Sequence, residues 1–394
     1  MALLINLQQP VRIIDTTLRD GEQTAGVVFA KHEKLRIAAL LDEIGVPAIE
    51  AGYPILGEQE QEAIAAIVHA GLSLEVEAFC RARAEDVQAA AKAGVSSVVI
   101  SISTSPIHLE RKYQKPPEWV FERVQEATEE AKRLGMRFTV SAEDASRTSM
   151  EFLRRYYAFA IAQGAERVRY CDTLGVDHPF GVLAKVQELK AHIGATPLEL
   201  HMHNDFGMAT ANVLSGLRGG ADGVAVSIGG LGERTGNSSL EEVVMALKYL
   251  YGKDLGIDTT RFREIVEYVA AASSRAIPVW KTIVGTNVFA HESGIHVDGV
   301  LKNPKNYEVF SPEEVGLERQ LVVGKHSGSH TIYYKFKEFG IELTQQEAQD
   351  ILAMAREMAV DLKRALFDKE LMYIYRDYQK MRARRDGAGQ RAQS

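Results

Sequence analysis

From residue 11 onward the chain alternates between two hydrophobic rhythms. Short runs rich in β-branched residues, at 11–15, 48–52, 73–79, 97–101, 137–141, 167–171, 198–203 and 223–227, read as strands. Between them lie longer segments with apolar residues three and four apart, at 32–43, 58–70, 84–93, 118–134, 151–162, 180–191, 209–219 and 240–250, which read as amphipathic helices. Several are followed by a glycine placed to close a helix, such as Gly45, Gly94 and Gly164. Eight βα units in succession predict an α/β fold whose parallel sheet closes into a TIM (β/α)8 barrel. An open doubly wound sheet is the alternative, but no Gly-x-Gly-x-x-Gly follows the first strand.

The rhythm stops after residue 255. A helix is expected at 261–274, then a loop-rich stretch at 277–325 with Pro278, Pro304, Pro312 and many glycines. Amphipathic segments near 331–339 and 344–373 predict a small helical appendage. The expected organisation is therefore a barrel domain at 1–256, a linker or lid at 257–328, a helical subdomain at 329–383 and a disordered tail at 384–394.

Bulk properties narrow the function classes. With 394 residues, 46% of them hydrophobic and 25% charged, the chain suits one large globular domain and a smaller one. A formal net charge of −7 argues against electrostatically driven nucleic-acid binding and favours small-molecule partners. Two cysteines make no disulfide framework, no apolar run spans a membrane, and residues 1–10 lack a signal-peptide pattern, so a cytoplasmic location is expected.

Unusual polar residues cluster where strands end. Asp15, Arg19, Asp20, Glu22 and Gln23 follow the first strand, Glu50 ends the second, Glu143 and Asp144 follow the fifth, and Asp172 and Thr173 follow the sixth. His201 and His203 end the seventh, where a period of two puts both imidazoles on one face. With Asp20 they make a two-histidine, one-carboxylate set for a divalent ion, Asn237 ligating directly or through water. Such mixed ligation leaves Zn, Mn, Mg and Fe open. The plainer alternative is a pair of polar residues closing a strand. A bound ion with free positions could polarise the ketone of a 2-oxo acid. Arg19 could then stabilise the developing alkoxide, or simply pair with Asp15 or Glu50. Thr173 could hold the substrate carboxylate, or cap its own turn. The glycine-rich run 229–237, with Glu233 and Arg234 inside it, could let backbone approach an anionic ligand.

Four ordered motifs, Asp15-Thr-Thr-Leu-Arg-Asp-Gly-Glu-Gln23, His201-Met-His-Asn-Asp205, Gly230-Leu-Gly-Glu-Arg-Thr-Gly-Asn237 and His291-Glu-Ser-Gly-Ile-His-Val-Asp-Gly299, resemble the 2-isopropylmalate synthase and homocitrate synthase family over residues 11–330. The resemblance implies an acetyl-CoA-dependent condensation with a 2-oxo acid. It implies Asp20, His201, His203 and Asn237 at a metal, Arg19 stabilising charge and Glu143 near the reacting carbons. It also implies His296, with His291 as alternative, as a general base supplied by the partner of a homodimer. Acetyl-CoA is assigned to Gly230, Gly232, Glu233 and Arg234. The 2-oxo acid is assigned to Gln23, Glu50, Arg83, His108, Ser141 and Thr173, with Arg83 and His108 as candidates for a second substrate carboxylate, although Arg83 could equally be solvated at the start of the third helix.

Ser103-Thr-Ser-Pro-Ile-His108 resembles 2-isopropylmalate synthases. Arg169-Tyr-Cys-Asp-Thr-Leu-Gly-Val176, Ile295-His-Val-Asp-Gly-Val-Leu-Lys302 and Val322-Val-Gly-Lys-His-Ser-Gly328 look closer to homocitrate synthases associated with nitrogenase cofactor assembly. The absence of a C-terminal effector domain points the same way, so 2-oxoglutarate is the expected substrate and homocitrate the product. The alternatives are 2-oxoisovalerate or pyruvate as substrate, a carbon–carbon lyase of the hydroxymethylglutaryl-CoA type, whose reactive cysteine is missing from 229–237, and a metal-stabilised binding protein.

Overall fold

A computed structural model describes Leu7 and residues 10–391. It divides into two compact units, Met1–Ile277 and Pro278–Ser394. In the first, β1 (Arg12–Asp15), β2 (Ala48–Glu50), β3 (Glu75–Arg81), β4 (Ser97–Ser103), β5 (Arg137–Glu143), β6 (Arg167–Asp172), β7 (Leu198–Met202) and β8 (Gly223–Val226) form a closed barrel in sequence order. All neighbours are parallel, and β8 returns to β1 with Ile13 opposite Val224. The expected TIM barrel is the fold found.

Helices α1 (Lys31–Glu43), α2 (Glu58–Val68), α3 (Ala84–Lys92), α4 (Glu118–Arg133), α5 (Met150–Ala162), α6 (Pro179–Ile193), α7 (Ala209–Gly219) and α8 (Leu240–Leu250) follow the strands in turn. Gly45 and Gly164 take φ of +87° and +95° just past α1 and α5, a conformation that L side chains rarely adopt, so the chain can reverse there without a Cβ penalty.

The strands separate two kinds of surface. On β4 to β8, Val98, Ile100, Phe138, Val140, Val168, Tyr170, Leu198, Leu200 and Val224 are all buried and share one face. The other face carries charge. Arg167 and Arg169 on β6 bond to Glu77 on β3 and Glu50 on β2, strands that are not neighbours of β6, so these side chains must cross the lumen. The interior is thus filled largely by paired ions, where barrels of this kind more often hold branched apolar side chains.

The first unit extends past the expected limit at 256. Helix α9 (Phe262–Ala272) buries Phe262, Ile265, Val266 and Val269 and contacts α1 and the turn after β8, so it packs as part of the barrel unit. In the second unit, β9 (Ala290–His291) pairs in parallel with β10 (Gln320–Leu321). The stretch expected to be loop contains α10 (Gly294–Lys302), whose buried Val297 and Val300 supply a short apolar face. Helices α11 (Ser329–Glu338), α12 (Gln345–Leu362) and α13 (Asp368–Arg391) enclose a core that includes Ile332, Phe336, Ile351, Leu371 and Ile374.

Val323 belongs to that core, so the expected division between 257–328 and 329–383 does not appear as separate compact units. The single segment expected at 344–373 is broken at Lys363, in the left-handed region at φ +54°, where the Leu366 N–H bonds to Val323. The backbone of α13 continues through Arg391, into the stretch expected to be disordered and through Gly387 and Gly389; residues 392–394 lie outside those described. No helix among the described residues is long and apolar enough to cross a membrane. Both cysteines are buried and free.

Asp15, fully buried at the end of β1 opposite Val226 on the helix-facing side of the sheet, gives a test of the electrostatics there. Burial, with Glu241 and Glu50 adding repulsion, outweighs the Thr17 hydrogen bonds and lifts its carboxyl to about 7. A carboxyl raised in the folded state supports folding fully below its unfolded pKa, and that support is lost as pH rises through the folded value. Asp15→Asn, neutral throughout, should therefore gain stability over the parent between about pH 4 and 8, by on the order of 1–3 kcal/mol. Urea melts across that range check this; a difference that does not change with pH would show that the carboxyl titrates as it does in solvent.

Candidate active site at the carboxyl end of the barrel

One wide helical turn, Thr17–Gly21, follows β1 and presents Arg19 and Asp20. His201 lies in β7, and His203 lies one residue beyond it in an antiparallel bridge to Asn237. Both histidines and Asp20 are buried, and their potential ligand atoms all lie within 4.8 Å of one another. The two imidazole Nε2 atoms are 3.1 Å apart, and His201 Nε2 is 3.9 Å from Asp20 Oδ2. Asn237 donates to Asp20 Oδ2 at 2.5 Å and leaves its own Oδ1 buried without a partner.

The electrostatics suit a cation. Burial lowers the His201 pKa to about 3 despite Asp20, and lowers that of His203, so both rings stay neutral with lone pairs available. Burial alone would raise the Asp20 carboxyl, but Arg19, the two imidazoles and Asn237 hold it well below the usual range. Two neutral imidazoles, one carboxylate and an orphaned amide oxygen make a donor set that fits a divalent ion.

Beside this cluster is a cavity of about 210 Å³. It is lined by Arg19, Asp20, Gln23, Phe79, Ser101, Ser141, Glu143, Arg169, Cys171, Thr173, His201, His203 and Glu233. Its size suits a small acid rather than a whole coenzyme A thioester. Arg19 donates from Nε to Glu50 at 2.7 Å and from Nη1 to Asp20 at 2.9 Å, and its guanidinium carbon lies 4.6 Å from the centre of the Phe79 ring. Of the two salt bridges considered for Arg19, the one to Glu50 forms. Ser141 Oγ is 3.2 Å from Cys171 Sγ. Thr173 Oγ1 accepts the Asp144 N–H at 2.8 Å, while Asp172 caps the turn, taking the Val176 and Asp177 N–H groups.

Other expected residues fall elsewhere. Glu50 does not line the cavity; its two oxygens accept from Arg19 and Arg169. Arg83 is exposed at the start of α3 and does not line the cavity, because β3 runs on to Arg81 and the chain then turns outward. His108 bonds to Ser103 and lies 3.4 Å from Glu143, reaching the cavity only through that carboxylate. The glycines of 229–237 pack against their own loop: a Cβ on Gly232 would meet Asn237 Nδ2 at 2.4 Å, and one on Gly236 would meet Gly230 O at 2.0 Å. That close packing accounts for these glycines without a ligand, and neither Gly230 nor Gly232 lines the cavity. Arg234 is held by Asp205 and by Thr173 O. In the second unit, His291 Nε2 lies 3.2 Å from Glu308 Oε1, and the His296 ring stacks on Tyr307 at 4.4 Å.

Several participants were missed in the sequence: Phe79, Ser101, Arg169 and Cys171 line the cavity, and Lys112 holds Glu143 at 2.9 Å. For the four cavity residues the signal was strand parity. Arg167, Arg169 and Cys171 alternate along β6 on the face that Glu199 and His201 share on β7.

Residues 10–269 match the family model described as HMGL-like, and 283–363 match one described as homocitrate synthase post-HMGL domain-like. A protein named 2-isopropylmalate synthase 2 from Caldanaerobacter subterraneus subsp. tengcongensis is 57% identical, over 94% of this chain and 96% of its own. Homocitrate synthase 1 from Nostoc sp. is 47% identical, over 93% and 97%. The (R)-citramalate synthase of Methanocaldococcus jannaschii is 44% identical, over 93% and 74%. Among solved structures, hydroxymethylglutaryl-CoA lyase from Pseudomonas aeruginosa superposes with a TM-score of 0.63 at 21% identity, over 69% of this chain and 96% of that one, a likeness of fold alone.

If the cluster holds a divalent ion, saturating Mn²⁺ or Zn²⁺ should raise the melting temperature of metal-stripped protein. At a hundredfold excess over Kd the gain is about 3 kcal/mol. His201→Ala and Asp20→Asn should lose most of that rise; an equal rise in both variants would place the ion elsewhere.

Proposed function

We propose, because the chain belongs to the HMGL-like family, that it is an acetyl-CoA-dependent enzyme condensing 2-oxo acids, and more narrowly a homocitrate synthase acting on 2-oxoglutarate. The observation that carries the narrower reading is the cavity wall. Among the described residues no Val, Leu or Ile lines it; hydroxyls, a thiol, a phenyl ring and charged groups do. An isopropyl group there would desolvate Ser101 and Ser141 without replacing their hydrogen bonds, whereas a second carboxylate could accept from them. The similarity to a protein named 2-isopropylmalate synthase 2 keeps 2-oxoisovalerate as the second reading.

In the reaction proposed, the acetyl methyl group of acetyl-CoA gives up a proton, its carbon forms a bond to the ketone carbon of the 2-oxo acid, and the ketone oxygen becomes an alkoxide that is protonated. Water then cleaves the thioester, releasing coenzyme A. A divalent ion held by Asp20, His201 and His203, with Asn237 beside them, would supply Lewis acidity toward the ketone and carboxylate oxygens. Arg19 is placed to stabilise the alkoxide: Glu50 and Asp20 occupy its Nε and Nη1, and its Nη2 has no protein partner among the described residues. Thr173 offers its hydroxyl proton to the substrate carboxylate while its oxygen accepts the Asp144 N–H. Glu143, held by Lys112, lines the cavity and is proposed to act near the carbons that join. His296 is proposed as the base that takes the methyl proton, supplied by the second subunit of a homodimer, with His291 as alternative. An imidazole suits that task because its ordinary pKa lies near neutrality.

Thiol release from acetyl-CoA, measured against 2-oxoglutarate, 2-oxoisovalerate, pyruvate and oxaloacetate, tests both levels of the proposal. Activity should be greatest with 2-oxoglutarate, by about tenfold or more in kcat/KM. A preference for 2-oxoisovalerate would replace the narrower reading, and no turnover with any of the four acids would remove the broader one. In the same assay His296→Ala should keep fold and metal yet lose condensation; a near-normal kcat would take His296 out of the mechanism.

A further inference from the structure

The lumen beneath the cavity contains a continuous column of opposite charges. Glu199 on β7 accepts from Arg169 Nε at 3.1 Å and Nη2 at 2.9 Å through Oε2, and its Oε1 forms an ion pair with Arg167 at 3.0 Å without a hydrogen bond. Arg169 on β6 donates through Nη1 to Glu50 Oε1. Glu50 on β2 accepts at its other oxygen from Arg19, which in turn reaches Asp20. Except for Arg19 and Asp20, no two consecutive members of this path are neighbours in sequence. Arg169, Glu50 and Glu199 are essentially excluded from solvent.

A barrel needs only volume in its lumen, and well-packed apolar side chains would fill it at no cost in stability relative to buried ion pairs. The column does something that filling does not. Its upper end fixes two of the three guanidinium nitrogens of Arg19 and leaves the third without a hydrogen-bond partner among the described residues, on a side chain that lines the cavity. Without Arg169, Glu50 would have one oxygen unheld and could rotate, taking Arg19 with it. Without Glu199, Arg169 would be drawn toward Glu50 alone.

We propose that Glu199, which does not line the cavity, is a positioning residue that acts on the reaction through Arg169, Glu50 and Arg19. The proposal rests on the reading of Arg19 as the group that stabilises the alkoxide. Small displacements of such a group are costly, since an error of about 1 Å can lower a rate by about a hundredfold.

The test is a double-mutant cycle in the full-length protein, on Glu199→Gln and Arg19→Ala, measuring kcat, KM for the 2-oxo acid, divalent-ion affinity by calorimetry and folded fraction by circular dichroism. Glu199→Gln keeps the shape of the side chain, and the paired variant Arg169→Met/Glu199→Gln removes opposite charges together should the single change unfold. Either should lower kcat by about tenfold to a hundredfold in protein that stays folded and binds the ion within about twofold of the parent. In the Arg19→Ala background, Glu199→Gln should add less than about a twofold effect. Unchanged kcat in folded Glu199→Gln, equal losses in both backgrounds, or a loss that merely tracks the unfolded fraction or the ion affinity would each overturn the positioning role. Full activity in Arg19→Ala would instead show that the reading of Arg19 had failed, and the proposal with it.

Discussion

One carboxylate, Glu50, joins the two halves of the barrel's chemistry. Its fully buried oxygens accept from Arg19 on one side and Arg169 on the other. Burial would push its pKa up, but Arg169 and Arg19 together hold it at about 2, so it stays ionised. An ion taken into the interior carries a desolvation penalty of several kcal/mol, which only close partners on each side offset. That requirement dictates a chain of alternating charges through the lumen once the first is placed. It also dictates where the chain ends, because Arg19 meets Asp20, and Asp20 meets the two imidazoles.

The barrel divides the labour between the faces of its strands. The outward face is apolar and packs under the helices, which gives the fold its stability. The inward face is polar nearly from end to end, and at the carboxyl end it opens into a cavity with an acid, two neutral histidines, a guanidinium and several hydroxyls. Polar groups this deeply placed lose much of their hydration and act more strongly on a bound anion or cation than they would in water.

Much of this was legible in the sequence because two periodicities carry it. Alternation by two located all eight strands and put His201 and His203 side by side; the crowding of polar residues after strand ends marked the rim where Asp20, His201 and His203 gather. The lumen was not read, although Glu75, Glu77, Arg167, Arg169 and Glu199 lie at the same parity as the site residues above them. Branched apolar filling is the usual content of such barrels, and charged residues within strands read more easily as exposed. For Arg83 the sequence left two readings, a substrate contact or a solvated start of the third helix, and the structure has the second, since β3 runs two residues beyond its expected limit. Helix α10 was hidden by the glycines and prolines around it, which signal loops whether or not a short helix lies between them. The run 229–237 showed its glycines plainly, but glycine demanded by close packing against Asn237 looks the same in a sequence as glycine demanded by a ligand.

The most direct test of the central claim is an anomalous difference map from crystals grown with manganese or zinc. The account predicts one dominant peak at about 2.0–2.3 Å from an Asp20 oxygen and from a nitrogen of both His201 and His203, with Arg19 still seated on Glu50. A peak at a different place in the chain, or none at the barrel mouth in metal-saturated crystals, would contradict it.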